Sequence, residues 1–324
     1  MTIHKTKGLI AAPFTGMDAD GGINLKNVST YADHLKQIGV KGAFVAGTTG
    51  EGMFLSDTER LRVIEAWIAQ KASGFRVIAH VGSTSLASAR TMAQKSAIAG
   101  ADAVALMGPP FLGPAKVEEL VGFCSDVALS APEVPFYYYH MPVLSGVDLS
   151  MSEFLNKAKD KIPNLAGIKF TANNLMEMSK CLSMDHGKWD ILHGYDELLL
   201  AGLSFGAVGA VGSTYNFLAP LYYGIIEDFE QGNIAAARAK QRKSIEFIDI
   251  LIKYKGALVS GKSLMGILGI DCGPCRKPLP SLSKDEIKKF KSELQNWGFF
   301  EMVDAYSHGQ NINYDTKTKG NLTI

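Results

Sequence analysis

The sequence predicts an α/β fold, a closed (β/α)8 (TIM) barrel followed by a C-terminal helical extension. Three observations carry this. Short apolar runs alternate with amphipathic helical stretches from the N-terminus onward, a pattern that lays strands parallel in one sheet. Eight such strand–helix units fit into about 215 residues, which suits a closed barrel better than an open sheet. Polar and glycine-rich segments gather just after the strand runs, where a barrel of this kind keeps its functional groups. A doubly wound open sheet is the alternative. No Gly-x-Gly-x-x-Gly follows the first strand, however, and the stretch from Gly206 to Gly212 has the wrong spacing and place.

The elements follow in order. The first strand run covers 8–14. After a turn at 18–22, the spacing of Val28, Tyr31, Leu35 and Ile38 predicts a helix that stops at Gly39. The second strand, 42–46, runs into Gly47-Thr48-Thr49-Gly50-Glu51. Ser56 with Glu59 three residues later makes a capping box, and Leu61, Ile64, Trp67 and Ile68 line one face of the helix it opens. The third strand is 76–82, its helix 86–99. The fourth strand, 103–107, stops at Gly108-Pro109-Pro110, and a helix is expected over 117–129. The fifth strand is 134–141, with a helix at 151–158. The sixth is 164–171, with a helix at 175–184. The seventh is 189–194, with a short helix at 197–203. The eighth, 207–211, leads into Gly212-Ser213-Thr214. Past Asn216 the strands cease, and helices are expected over 218–229, 234–254, 257–268 and 283–297, the first closing the barrel. This divides the chain into a barrel domain over 1–225, a helical extension over 226–306 and a loose polar tail over 307–324.

Lys and Arg total 33 against 32 for Asp and Glu, a balance that offers no footprint for nucleic acid or an anionic membrane. No apolar run has the length of a signal-peptide core or a membrane span. A cytoplasmic protein acting on a small molecule is expected. Of the four cysteines, Cys272 and Cys275 form a lone Cys-x-x-Cys. A zinc site needs a second pair or nearby histidines, and a redox pair, the alternative, would lie far downstream of any βαβ start, so free thiols in a reducing compartment are expected.

One residue stands out chemically. Lys169 sits in the short, mostly apolar strand run Asn164-Leu165-Ala166-Gly167-Ile168-Lys169-Phe170-Thr171. An amine taken out of water loses its proton more readily, and a neutral amine attacks carbonyls. The segment alone also allows a lysine that snorkels to water or pairs with a carboxylate. Strand alternation puts Gly167 and Thr171 on the face of Lys169, with Ile168 and Phe170 against the helices. On the neighbouring strand Tyr139 could meet the amine and relay protons, whereas Tyr137 and Tyr138 read as aromatic filling. Gly47-Thr48-Thr49-Gly50 offers N–H groups and two hydroxyls to an anion such as a carboxylate. Asp196 and Glu197 could hold a polyhydroxy chain, and His80 reads as a core histidine.

Taken together, Gly47-Thr48-Thr49-Gly50-Glu51, Tyr139-His140-Met141-Pro142 and Gly167-Ile168-Lys169 resemble the pyruvate-dependent class I aldolases of the dihydrodipicolinate synthase and N-acetylneuraminate lyase superfamily. The resemblance runs from about Gly8 to Leu294. The stretches 136–146, 194–197 and 212–216 resemble its sialic acid-cleaving branch. Val143, Leu144 and Ser145 stand where the dicarboxylate-binding branch usually has an arginine. The resemblance implies a Schiff base between Lys169 and pyruvate, and proton relay at Tyr139. It implies carboxylate binding at Thr48 and Thr49, and sugar contacts at Thr171, Gly194, Asp196, Glu197 and Ser213. The reaction implied is reversible cleavage of N-acetylneuraminate to pyruvate and N-acetylmannosamine, without cofactor or metal, in a homotetramer. Another aldolase or dehydratase acting on a different 2-keto-3-deoxy sugar acid, or a non-catalytic sugar-acid-binding barrel, are the rivals. One departure concerns Leu112, which follows Phe111 where many bacterial members carry a relay tyrosine.

Overall fold

The protein is described from a computed structural model over residues 3–307. Eight parallel strands close into a barrel in sequence order. They are β1 (Gly8–Ala11), β2 (Gly42–Val45), β3 (Arg76–His80), β4 (Ala103–Met107), β5 (Phe136–His140), β6 (Leu165–Phe170), β7 (Asp190–His193) and β8 (Gly209–Gly212). Closure is made by β8 pairing with β1, Gly8 opposite Gly209 through Ala11 opposite Gly212.

Helices cover the outside: α1 (Val28–Gln37), α2 (Asp57–Ile68), α3 (Leu86–Ile98), α4 (Val117–Ala128), the single turn α5 (Pro142–Ser145), α6 (Met151–Ala158), α7 (Leu175–Gly187) and α8 (Leu199–Ser204). Then come α9 (Tyr215–Glu230), α10 (Ile234–Lys253), α11 (Gly256–Ile267), α12 (Lys284–Trp297) and α13 (Phe299–Ser307). The capping box of α2 forms as expected, with Ser56 Oγ accepting from Glu59 N and Glu59 Oε2 accepting from Ser56 N. No helix among the described residues is long and apolar enough to cross a membrane.

Several strands are shorter than the sequence reading, β1 ending at Ala11 and β5 spanning 136–140, and three further details differ. The eighth strand lies at 209–212 rather than 207–211, because its pairing with β1 starts only at Gly209. Helix α9 begins at Tyr215, three residues before the expected start. Asn216 explains this: its amide donates to the carbonyls of Ser213 and Ala12, each at 2.7 Å, and pulls the β8–α9 turn onto the end of β1. Helix α13 was not expected. Gly298, at φ 90°, ends α12 in a left-handed cap, and Phe299 then packs its ring 5.5 Å from that of Phe247. The expected tail from 308 onward lies outside the described residues.

The core has two layers, as strand alternation requires. Ile168 and Phe170 lie in the layer between strands and helices, with Tyr138 beside them. Ile10, Phe44, Ile78, Tyr137, Tyr139 and Leu192 fill the barrel interior. Tyr137 does more than fill space: its hydroxyl donates to Asp190 Oδ2 at 2.8 Å, and Thr6 N donates to the same oxygen at 2.9 Å. Burial raises the Asp190 carboxyl pKa, and these two donors oppose it.

Candidate active site

Strand register decides which residues meet. Between β5 and β6 the pairing slips by one residue, from Phe136 opposite Leu165 to Tyr137 opposite Gly167. After the slip Tyr139 stands opposite Lys169. A bulge of this kind re-aims side chains. Gly167 is required in the same stretch, because a β-carbon there would overlap the Asp190 carbonyl of β7.

Lys169 is 5 % exposed. Its Nζ lies 3.9 Å from the ring centre of Tyr139 and 4.2 Å from that of Phe44. Among the described residues it forms no ion pair. The snorkelling or paired lysine that the segment alone allowed is therefore absent, and the amine opens instead onto a cleft of about 320 Å³ at the C-terminal ends of the strands. Small-molecule sites occupy volumes of this order. Thr48, Thr49, Tyr139, Lys169, Thr171, Gly194, Asp196, Glu197 and Ser213 all line it.

Tyr139 is held edge-on by two rings, Phe44 at 5.4 Å and His80 at 5.8 Å. Its hydroxyl donates to Met141 Sδ at 2.8 Å and lies 3.4 Å from Thr48 Oγ1. His80 is the expected core histidine on one side only. Nδ1 lies 3.1 Å from the Ala46 carbonyl and 3.3 Å from Arg60, while Nε2 has no partner among the described residues. Burial, with Arg60 and Lys169 nearby, lowers its pKa well below the usual range against the pull of the Ala46 carbonyl. The ring is thus neutral near pH 7 and adds no charge beside the lysine.

The turn after β2 is strained and tightly held. Ala46 and Glu51 both have left-handed backbones, at φ 57° and φ 54°, which non-glycine residues adopt at a cost. Glu51 N donates to the Thr48 carbonyl, Gly52 N to that of Gly47, and Thr15 Oγ1 to that of Gly50 at 2.6 Å. Among the described residues the N–H groups of Thr48 and Thr49 have no backbone acceptor, which leaves them for an anion. Glu51 is fully buried and receives Lys262 Nζ from α11 at 2.7 Å and Arg276 N at 2.6 Å. The Arg276 guanidinium bonds Glu59 and holds its carboxyl down to about 2.

The two acidic residues differ. Asp196 Oδ2 accepts from both Thr214 N (2.8 Å) and Thr214 Oγ1 (2.6 Å). A β-carbon at Gly212 would overlap its Oδ1, so glycine is needed there. Burial raises the Asp196 carboxyl pKa, with Thr214 and Lys169 opposing. Among the described residues the Glu197 side chain bonds no protein group; it is only partly buried, and burial, with Asp196 beside it, raises its carboxyl pKa. Of the pair it is the freer acceptor. Thr171 contributes a buried hydroxyl that has no partner among the described residues.

Sequence reasoning places Met141 and Tyr195 in strand-end motifs without giving them a role, and it misses the contribution of α10 and α11, whose Ile248, Ile252, Ala257 and Leu258 also line the cleft. Nothing local marks these helical residues, because packing brings them there. Leu112 lies elsewhere: it is 84 % exposed, Phe111 is 94 % exposed, and neither lines the cleft. Among the described residues the Tyr139 hydroxyl has Met141 and Thr48 as hydrogen-bond partners. All four cysteines are free and buried, and burial pushes the Cys272 thiol up to about 12 and that of Cys275 to about 11.

The molecule is a (β/α)8 barrel whose strand ends frame a cleft around one buried lysine. The chain belongs to the dihydrodipicolinate synthetase family, whose sequence model matches residues 5–297. It is 43 % identical over 285 residues to the N-acetylneuraminate lyase of Xenopus tropicalis, covering 87 % of this chain and 93 % of that one. Identity to the N-acetylneuraminate lyase of Mus musculus is 39 % over 299 residues, covering 91 % and 93 %. Among solved structures, Proteus mirabilis N-acetylneuraminate lyase superposes with a TM-score of 0.88 at 40 % identity, covering 91 % of this chain and 100 % of that one.

Proposed function

We propose that this protein is an N-acetylneuraminate lyase, a carbon–carbon lyase that cleaves N-acetylneuraminate reversibly to pyruvate and N-acetylmannosamine through a Schiff base on Lys169. The carrying observation is the Lys169 amine at the floor of the cleft, beside the Tyr139 hydroxyl and the Thr48–Thr49 turn. The relatives named above support the choice of substrate.

In this reading Thr48 and Thr49 hold the substrate carboxylate. The Lys169 amine adds to the C2 ketone of the open-chain sugar acid, and loss of water leaves a protonated imine. The C4 hydroxyl passes its proton toward Tyr139 as the C3–C4 bond breaks. The bonding electrons move into the imine to give an enamine, and N-acetylmannosamine leaves. Protonation at C3 and hydrolysis release pyruvate and restore the amine. Thr171, Gly194, Asp196, Glu197 and Ser213 hold the hydroxyl chain, with Asp196 also bracing Thr214. In this reading residues 1–225 carry the chemistry and 226–306 form a helical cover. A homotetramer belongs to the proposal, and the exposed Phe111 and Leu112 are apolar groups that assembly would cover. So does a cytoplasmic location, which four unpaired thiols suit.

Borohydride reduction in the presence of pyruvate tests the chemistry. A reduced adduct mapped to Lys169 is expected, and its absence overturns the aldolase reading. Turnover on a panel of 2-keto-3-deoxy sugar acids tests the substrate, and N-acetylneuraminate ranking last refutes that choice. Tyr139→Phe keeps the ring between Phe44 and His80 and removes only the hydroxyl. It is expected to lower kcat by about 10²- to 10⁴-fold, with a far smaller change in KM. Steady-state kinetics check this, and a kcat within threefold of wild type would remove Tyr139 from the proton path.

A further inference from the structure

We propose that the N-terminal mouth of the barrel, at the end opposite the cleft, is a second ligand site, built for a small organic monocarboxylate with an apolar body. The inference goes beyond the lyase reading and does not depend on it.

The site is a cavity of about 210 Å³. Its place follows from the strands: Arg76 and Ala103 are the first residues of β3 and β4, and Pro135 immediately precedes β5. The segment 3–6, ahead of β1, makes one wall. Ile3, Ile78, Ala103, Pro135 and Ala166 give an apolar lining. Ala103 and Ala166 belong to the barrel interior and bring only one methyl each, which leaves a hollow that larger side chains would fill. An apolar cavity of about 150 Å³ holds benzene, so this one has room for a body of roughly six carbons and a carboxylate.

Charge selects the head group. Arg76 lines the cavity and reaches solvent. Among the described residues it forms no ion pair, and its Nη1 reaches only Thr6 Oγ1, at 3.4 Å. Lys5, Lys7 and Lys41, all exposed, stand just before β1 and β2 at the same end of the barrel. The nearby carboxyl groups are already answered. Asp102 holds Lys71 Nζ at 2.7 Å through Oδ1 and accepts from Val77 N at 2.8 Å through Oδ2. Asp190 adjoins the cavity through Tyr137 and Thr6, which line it and donate to Asp190 Oδ2. Asp190 is fully buried, and its Oδ1 has no partner among the described residues. Burial favours its neutral form, so it repels an anion little. A guanidinium without a counter-charge therefore borders an apolar hollow, and its paired N–H groups match a carboxylate.

Other ligand classes use half of the site. An inorganic anion meets Arg76 but leaves the apolar walls uncovered. A neutral apolar molecule fills the hollow and leaves the guanidinium unmatched. An amine of the same size is repelled by it. A carboxylate on a short apolar body uses both linings.

Titration calorimetry of the whole protein tests this, with benzoate as the probe and benzyl alcohol and benzylamine as its neutral and cationic counterparts. Benzoate is expected to bind saturably, one per chain, and at least about fivefold tighter than either counterpart. Arg76→Met is expected to weaken benzoate about 5- to 20-fold. Lys41→Met removes a cation at the same end that does not line the cavity, and is expected to change binding by less than about twofold. Ala103→Leu fills the hollow and is expected to weaken benzoate and benzyl alcohol alike. Thr48→Val, in the cleft at the other end, is expected to leave benzoate binding as in wild type. No saturable binding, equal affinity for the three probes, or equal losses in Arg76→Met and Lys41→Met overturn the site. So does a loss in Thr48→Val instead of Arg76→Met, which places benzoate in the cleft, and so does a folded Ala103→Leu that binds benzoate as wild type does. If Ala103→Leu fails to fold, the change at the exposed Arg76 decides the matter alone. Turnover of N-acetylneuraminate is no readout here, so this site and the lyase reading stand or fall separately.

Discussion

Replacing Lys169 by methionine is expected to lower turnover by at least about 10⁴-fold and to abolish borohydride trapping by pyruvate. The imine route begins at this amine, and the structure offers no second lysine among the residues lining the cleft. Methionine matches the lysine stem in length, and its thioether can lie against the Tyr139 and Phe44 rings that now flank Nζ. The fold should therefore persist. Circular dichroism and the unfolding midpoint of Lys169→Met should match wild type or exceed it, since a buried polar group has been removed. Kinetics and mass spectrometry of the reduced adduct check the first claim. Residual turnover within a hundredfold of wild type would place the chemistry on another residue.

The second large effect is expected far from the reacting atoms. The Lys262–Glu51 pair is completely enclosed, with side-chain exposures of 1 % and 0 %. Lys262→Met leaves the Glu51 carboxylate buried, with Arg276 N as its one remaining bonded donor among the described residues. Removing one partner of a buried ion pair typically costs about 3–5 kcal/mol. The double change Glu51→Gln with Lys262→Met removes both charges and is expected to recover most of that loss. Urea unfolding of the two variants measures the difference. The same pair ties the Thr48–Thr49 turn to α11, so Lys262→Met should also raise the KM for pyruvate in the synthetic direction more than it changes kcat. Equal stability of single and double variants would show that the pair holds little of this together.

The sequence made part of this site legible for physical reasons. Lys169 was visible because a buried strand seldom carries an amine, and alternation assigned Gly167 and Thr171 to its face. The capping box of α2 was equally plain. Other features depend on three dimensions. The register slip that sets Tyr139 opposite Lys169 leaves no mark in the residue pattern, since β6 reads as a continuous apolar run either way. Glu51 read as part of an anion-binding turn, but its partner lies 211 residues away. The isoleucine lining of α10 looked like any amphipathic helix. In the sequence Asp196 and Glu197 look alike, and only the tertiary contact with Thr214 separates a bracing carboxylate from a freer one.

The closure of the barrel has a consequence for the chain as it is made. Strand β1 waits for β8 as its second neighbour, so one edge near the N-terminus stays open until about 200 residues have followed it. A ribosome-bound chain halted before Gly209 would already contain Lys169, Tyr139 and the Thr48–Thr49 turn. It would lack the strand that joins the sheet into a ring, and Asn216, which fastens that strand to Ala12. Exposed parallel edges of this sort invite pairing with other chains. The growing polypeptide therefore passes through a stage at which every reactive group exists and no cleft does, and that interval is where a chaperone would have most to protect.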